Sequence, residues 1–166
     1  MMKAFDVSVR VFVRGLSNLK GLLSKAEAHA SSHARDPGAL VGARLADDMY
    51  DLGTQVHWAS EGAKLSGNRL LGIASAPPAH QARSFGELHT LIDEGIAYLE
   101  AVDPDALEAG LERTIELPFP GGSKTFNGDR FLIEFAIPNF FFHLTTAYAI
   151  LRHEGVLLQK IDFMGI

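Results

Sequence analysis

The chain has 166 residues, a formal net charge of -5 and 47% apolar residues. It is long enough to bury one core without covalent staples, and it shows no basic footprint for nucleic acid. The absence of cysteine excludes disulfides, thiolate ligands and a cysteine nucleophile, so any metal would need nitrogen or oxygen donors.

The amino-terminal stretch MMKAFDVSVRVFVRGLSNLKG carries charges through its apolar pattern, unlike a signal or membrane-spanning segment. One cytoplasmic domain over residues 1–166, not embedded in a membrane, is the expectation. Val7, Val11, Phe12, Leu16, Leu19, Leu22, Leu23 and Ala26 recur at helical spacing and predict a first helix over residues 6–30. His29 and His33 share a face of it, but where polarity rises toward SSHARDPG, as at a solvated helix end.

The turn signal RDPG follows. Residues 39–44 predict a short helical turn, and Leu45, Met49, Leu52, Val56, Ala59, Ala63, Leu65 and Leu70 form the stripe of a second long helix. A long connection, IASAPPAHQARS, leads to a third helix marked by Phe85, Leu88, Leu91, Ile92, Ile96 and Leu99. Ser84 and Glu87 have the spacing of a capping box at its start. VDPD ends it, and residues 106–110 predict one further turn.

The period then changes. In ERTIELPFPGGSKTFNG, polar and apolar residues alternate around a proline and glycine turn, which predicts a small β-hairpin. Two short strands are marginal alone, so the hairpin should pack across one end of a helical body. A fourth helix is expected over residues 129–153, interrupted at Pro138 by a kink or a delayed start near residue 137, with Gly155 as its carboxyl-terminal cap. Four amphipathic helices solve their burial problem as an all-α four-helix bundle, and the long connection from helix two to helix three permits a crossover.

Within FAIPNFFFHLTTAYAILRHEG, Asn139 and His143 stand four residues apart on one helix face among apolar neighbours. His57 lies in a similar setting on the second helix, with Glu61 four residues on. Burying amide and imidazole groups is costly without partners, and three readings follow. The imidazoles could hold a divalent ion such as Zn, Ni or Fe, with Glu61 or water on the oxygen side. They could be satisfied core residues, with Asn139 compensating the backbone that Pro138 disrupts. Or His57, Asn139 and His143 could orient a small-molecule ligand in a metal-free pocket completed by Glu61, Trp58 and Tyr148. Phe140, Phe141 and Phe142 cannot all enter one narrow core, so one should meet a partner or an end-capping segment; a homodimer is the expectation.

Three stretches, FDVSVRVFVRGLSNL, ARLADDMYDLGTQVHWAS and TFNGDRFLIEFAIPNFFFHLTTAYAILRHEGV, together resemble the DUF1993 family, itself similar to the DinB/YfiT-like four-helix bundles. The resemblance covers nearly the whole chain and implies DinB-like topology. DinB-like bundles commonly carry a metal triad, one histidine on the second helix and an HxxxH pair on the fourth. By that resemblance His57 matches the first ligand, Asn139 the second and His143 the third. Asn139 departs from the pattern, which implies either an altered centre assisted by water or Glu61, or a bundle that has lost its metal. Some relatives are transferases that use an external low-molecular-weight thiol; no motif here identifies such a substrate.

Overall fold

The computed structural model describes residues 3–76, 79, 82 and 84–166. The adjacent prolines of the long connection, Pro77 and Pro78, lie outside the described residues. Helix α1 (Ala4–Val7) is separated from α2 (Val9–Ser32) by a break at Ser8. Its hydroxyl donates to the Ala4 carbonyl at 2.6 Å, an alternative partner that competes with the helical ladder. The first predicted helix therefore exists, but begins as two pieces.

Asp36 caps α3 (Pro37–Val41) by accepting from the Gly38 amide. Helix α4 (Leu52–Leu71) starts later than the apolar stripe suggested, because Asp51 accepts from the Thr54 amide at 2.8 Å and fixes the helix start there. Leu45 and Met49 precede it in turn structure. Helix α5 (Phe85–Glu100) carries the expected capping box: the Glu87 amide donates to Ser84 Oγ at 3.3 Å, and the Ser84 amide to Glu87 Oε2 at 3.0 Å.

Helix α6 (Pro104–Ala109) and a tight turn (Gly110–Glu112) lead into the hairpin of β1 (Thr114–Phe119) and β2 (Gly122–Asn127). The strands are antiparallel, with Ile115 opposite Phe126 and Phe119 opposite Gly122. Gly121 takes φ 94° in the connecting turn, a conformation that glycine alone adopts without strain. Ile115, Leu117 and Phe126 are buried, so the hairpin joins the core through one face.

The fourth predicted helix is composite. Helix α7 (Gly128–Phe131) runs into a π-turn (Leu132–Ala136) and then α8 (Ile137–His153). Proline lacks an amide proton and crowds the preceding turn; the wide turn, in which the Ile137 amide donates to the Leu132 carbonyl, absorbs that discontinuity just before Pro138. Gly155 has φ 86° after the helix end. A last helix, α9 (Lys160–Met164), which the periodicity did not indicate, packs on α2.

Helix α4 packs against both α5 and α8, and α2 packs chiefly against α5. Leu16, Leu19, Leu23, Val56, Ala59, Leu88, Ile92, Phe140, Leu144 and Ala147 are buried between them. The Phe140 ring lies against Gly15, where an added Cβ would come within 2.6 Å of it. Ser60 of α4 presses on Gly95 of α5 in the same way and donates to the Leu91 carbonyl. Helix α4 forms a wall shared by two concave surfaces, one toward α5 and one toward α8. Among the described residues, no helix is long and apolar enough to cross a membrane.

Candidate functional site

The first concavity lies between α4 and the start of α5. It measures about 790 Å³, and its wall includes His57, Glu61 and Lys64 of α4 and Ser84, Thr90 and Glu94 of α5. Much of its polar surface is engaged. Glu61, nearly fully buried, pairs with Lys64 at 2.5 Å, Ser84 and Glu87 share the capping box, and the Thr90 hydroxyl donates to the Gly86 carbonyl at 3.0 Å. His57 is 3% exposed and sits edge-on to Trp58, with ring centres 5.3 Å apart.

The second is a cleft of about 260 Å³ between α4 and α8. Trp58, Gly62, Leu65 and Arg69 reach it from α4 at spacings of four, three and four, which is one helical face. Phe135, Asn139 and His143 line it from the opposite side at spacings of four, and Tyr50 closes one end. Gln55 touches His143, while Gly62, seven residues further along α4, lies against the Asn139 amide. The two helices therefore run antiparallel, with His143 at one end of the cleft and Arg69 toward the other.

His143 is held by a relay. Gln55, 1% exposed, donates through Nε2 to the Tyr50 carbonyl at 3.3 Å. That donation orients the amide so that Oε1 accepts from His143 Nδ1 at 2.8 Å. The imidazole tautomer follows, with the proton on Nδ1 and the lone pair on Nε2. Burial pushes His143 down to about 4, so the ring is neutral at physiological pH.

Three further groups in the cleft keep their bonding capacity. Among the described residues, neither His143 Nε2 nor the Asn139 amide has a hydrogen-bond partner. Arg10, Arg35, Arg44 and Arg130 each hold a carboxylate, and Arg14 and Arg152 hold backbone carbonyls. Arg69 holds neither among the described residues, although it is half-buried and its burial lowers the guanidinium from its ordinary value.

The predicted site residues thus fall into separate places. His57 and Glu61 line the α4–α5 cavity; Trp58, Asn139 and His143 line the α4–α8 cleft. Tyr148 lines neither and packs against Phe163 of α9, ring centres 5.5 Å apart. Of the three consecutive phenylalanines, Phe140 is buried and Phe142 is 56% exposed. Arg69 and Gln55 were missed by sequence reasoning. Arg69 falls in register with Trp58, Gly62 and Leu65, a signal that was readable, whereas Gln55 gave none beyond its place on the helix.

Among the described residues, no group of three or more His, Asp or Glu side chains is gathered to hold a metal ion. The cleft itself offers one imidazole and one neutral amide, short of the three protein donors of catalytic zinc sites. The donors of this cleft alone therefore fall short of a tightly held metal.

A helical body with an inserted hairpin, and a cleft between its second and fourth long helices, defines the chain as a DinB-like bundle. It belongs to the DUF1993 family, a domain of unknown function, which it matches over residues 4–164. It is similar to a DinB family member protein from Shewanella denitrificans whose crystal structure is known. The two share 37% identity over 98% of this chain and 92% of that one, with a TM-score of 0.89. No functionally curated protein matches the chain significantly.

Proposed function

We propose that the protein binds a small organic molecule in the α4–α8 cleft, with His143 Nε2 as a fixed hydrogen-bond acceptor. The observation that carries this reading is the 2.8 Å bond from His143 Nδ1 to Gln55 Oε1. An imidazole tethered at one nitrogen has its other nitrogen committed to a single direction, and ordering that group in advance lowers the cost of binding. An imidazole held near 4 is a weak base at neutral pH, since proton transfer is most efficient when donor and acceptor values lie near the working pH. Binding therefore suits this histidine better than proton abstraction. Trp58, Leu65 and Phe135 supply apolar walls, and Asn139 adds an amide that can both donate and accept.

Trp58 is the chain's one tryptophan, so its emission reports on occupancy of this cleft. A compound that shifts Trp58 emission saturably should lose about tenfold in affinity in His143→Leu, the worth of one hydrogen bond to a buried polar group. It should bind normally in Glu94→Gln, which alters the other cavity. Equal affinity in His143→Leu and the parent would refute the site.

A second reading has its own support. Donation of Nδ1–H to a carbonyl is also how metal-ligating imidazoles are held. In that reading His57, Asn139 and His143 are the donors to a divalent ion, with water or Glu61 completing the shell. The division of those side chains between two concavities weighs against it. Near-stoichiometric metal in untagged protein, lost in both His57→Ala and His143→Ala, would establish it.

A further inference from the structure

We propose that the ligand of the α4–α8 cleft is an organic carboxylate, its anionic end clasped by Arg69 and a hydroxyl at its far end donating to His143 Nε2. This rests on the cleft being the binding site, and adds the chemical class of what it binds.

The cleft has unlike ends. From Gln55, beside His143, to Arg69 is about 21 Å along the α4 axis. Helical side chains lean toward the amino terminus, a tendency that favours an Arg69 guanidinium set back along α4 toward Leu65. Because α8 runs antiparallel, His143 leans toward Asn139. The two polar groups face one cleft from opposite ends, with Trp58, Leu65 and Phe135 along the walls between them. An occupant complementary to this arrangement has an anion at one end, an apolar body and a hydrogen-bond donor at the other.

No carboxylate lies within ion-pair distance of Arg69 among the described residues, whereas Arg10, Arg35, Arg44 and Arg130 have one; Arg113 also lacks one, but it is exposed to solvent where Arg69 is half-buried. Partial burial of an uncompensated cation is unfavourable, and an incoming carboxylate removes that cost while using the planar guanidinium fork. Among the described residues the cleft presents no acidic side chain to oppose it. The α4–α5 cavity differs, since Glu61, Glu87 and Glu94 all line it. An organic anion would therefore be directed to one concavity and repelled from the other.

The probe is trans-4-hydroxycyclohexanecarboxylate, which does not absorb where Trp58 emits, compared with its uncharged carboxamide and with inorganic phosphate. The expected result is saturable change in Trp58 emission, with the acid binding at least about tenfold tighter than the amide. Arg69→Gln should erase that preference at unchanged thermal stability, and Arg69→Lys should keep part of it. Acid and amide binding equally, in the parent and in Arg69→Gln, would overturn the carboxylate assignment and leave the cleft as a binding site. Phosphate binding as tightly as the acid would overturn the organic part of the assignment. Loss of all response to acid and amide alike in the parent would overturn both readings.

Discussion

The α4–α5 cavity and the α4–α8 cleft stand on two faces of one helix, and their polar groups are in different states. In the larger cavity Glu61 is paired with Lys64, and the helix cap and the Thr90 hydroxyl are engaged within the protein. In the smaller cleft His143 is tethered through Nδ1 while its Nε2, the Asn139 amide and Arg69 have no partner among the described residues. Size alone would favour the first as a ligand site. A polar group that faces a cleft without a partner in the protein is available to a ligand, and one tethered to a single direction, as His143 is by Gln55, is better evidence of a binding site than volume is. Groups already engaged should cost stability when removed, and unengaged ones should not.

The largest effect is expected from Lys64→Met. Glu61 is nearly fully buried and its pair with Lys64 spans 2.5 Å; removing one member of such a pair leaves an uncompensated charge and costs about 3 kcal/mol. Chemical denaturation measures it. A loss below about 0.5 kcal/mol would mean that this pair behaves as a surface one, and the contrast between the two concavities would weaken.

Acid should be nearly as damaging, through His143. Its folded value of about 4 lies below the ordinary value of 6.5. Between those values the unfolded chain takes up a proton that the folded chain refuses, so the stability is complete above pH 6.5 and is lost as pH falls from 6.5 toward 4. The full loss is at most about 3 kcal/mol. His143→Gln should flatten the stability profile across that window, which separates this histidine from the carboxylates that titrate below it.

How much of this was legible in the sequence depended on the range of the interactions. Local signals transferred well. Ser84 and Glu87 form the capping box their spacing announced, Pro120 and Gly121 turn the hairpin, and the helical discontinuity falls just ahead of Pro138. The start of α4 was displaced because Asp51 caps the helix beyond Leu45 and Met49, and a side-chain cap outweighs a weak extension of the apolar stripe. The site was harder. Asn139 and His143 were visible as polar residues on an apolar helix, but which helical face of α4 they meet depends on packing. A rotation of one residue, about 100°, separates His57 from Trp58, and it sends the imidazole and the indole to different concavities. Gln55 was invisible because its importance lies in a bond to a residue far away in the chain.

Gln55→Leu tests that bond directly and should have an intermediate effect. It leaves the buried Nδ1–H of His143 without its acceptor, which costs about 2 kcal/mol. It should also free the imidazole to rotate, so affinity in the cleft should fall together with stability. Retained affinity at reduced stability would show that the tether serves the fold and not the site.

The smallest change in stability is expected where the contrast is sharpest. Asn139→Leu replaces an amide with no partner among the described residues by an apolar side chain of similar volume. An apolar replacement of an unengaged polar group is nearly neutral or stabilising, so the change should lie within about 0.5 kcal/mol of zero. The added methyl groups would meet α4 near Gly62, where the Asn139 amide now sits 3.4 Å from the position a Cβ would occupy, an ordinary van der Waals spacing that leucine can share. If the cleft is a binding site, the same variant should bind its ligand more weakly despite folding as well as the parent. A loss of about 2 kcal/mol in stability would instead assign Asn139 to the backbone at Pro138, and would return this residue from the site to the fold.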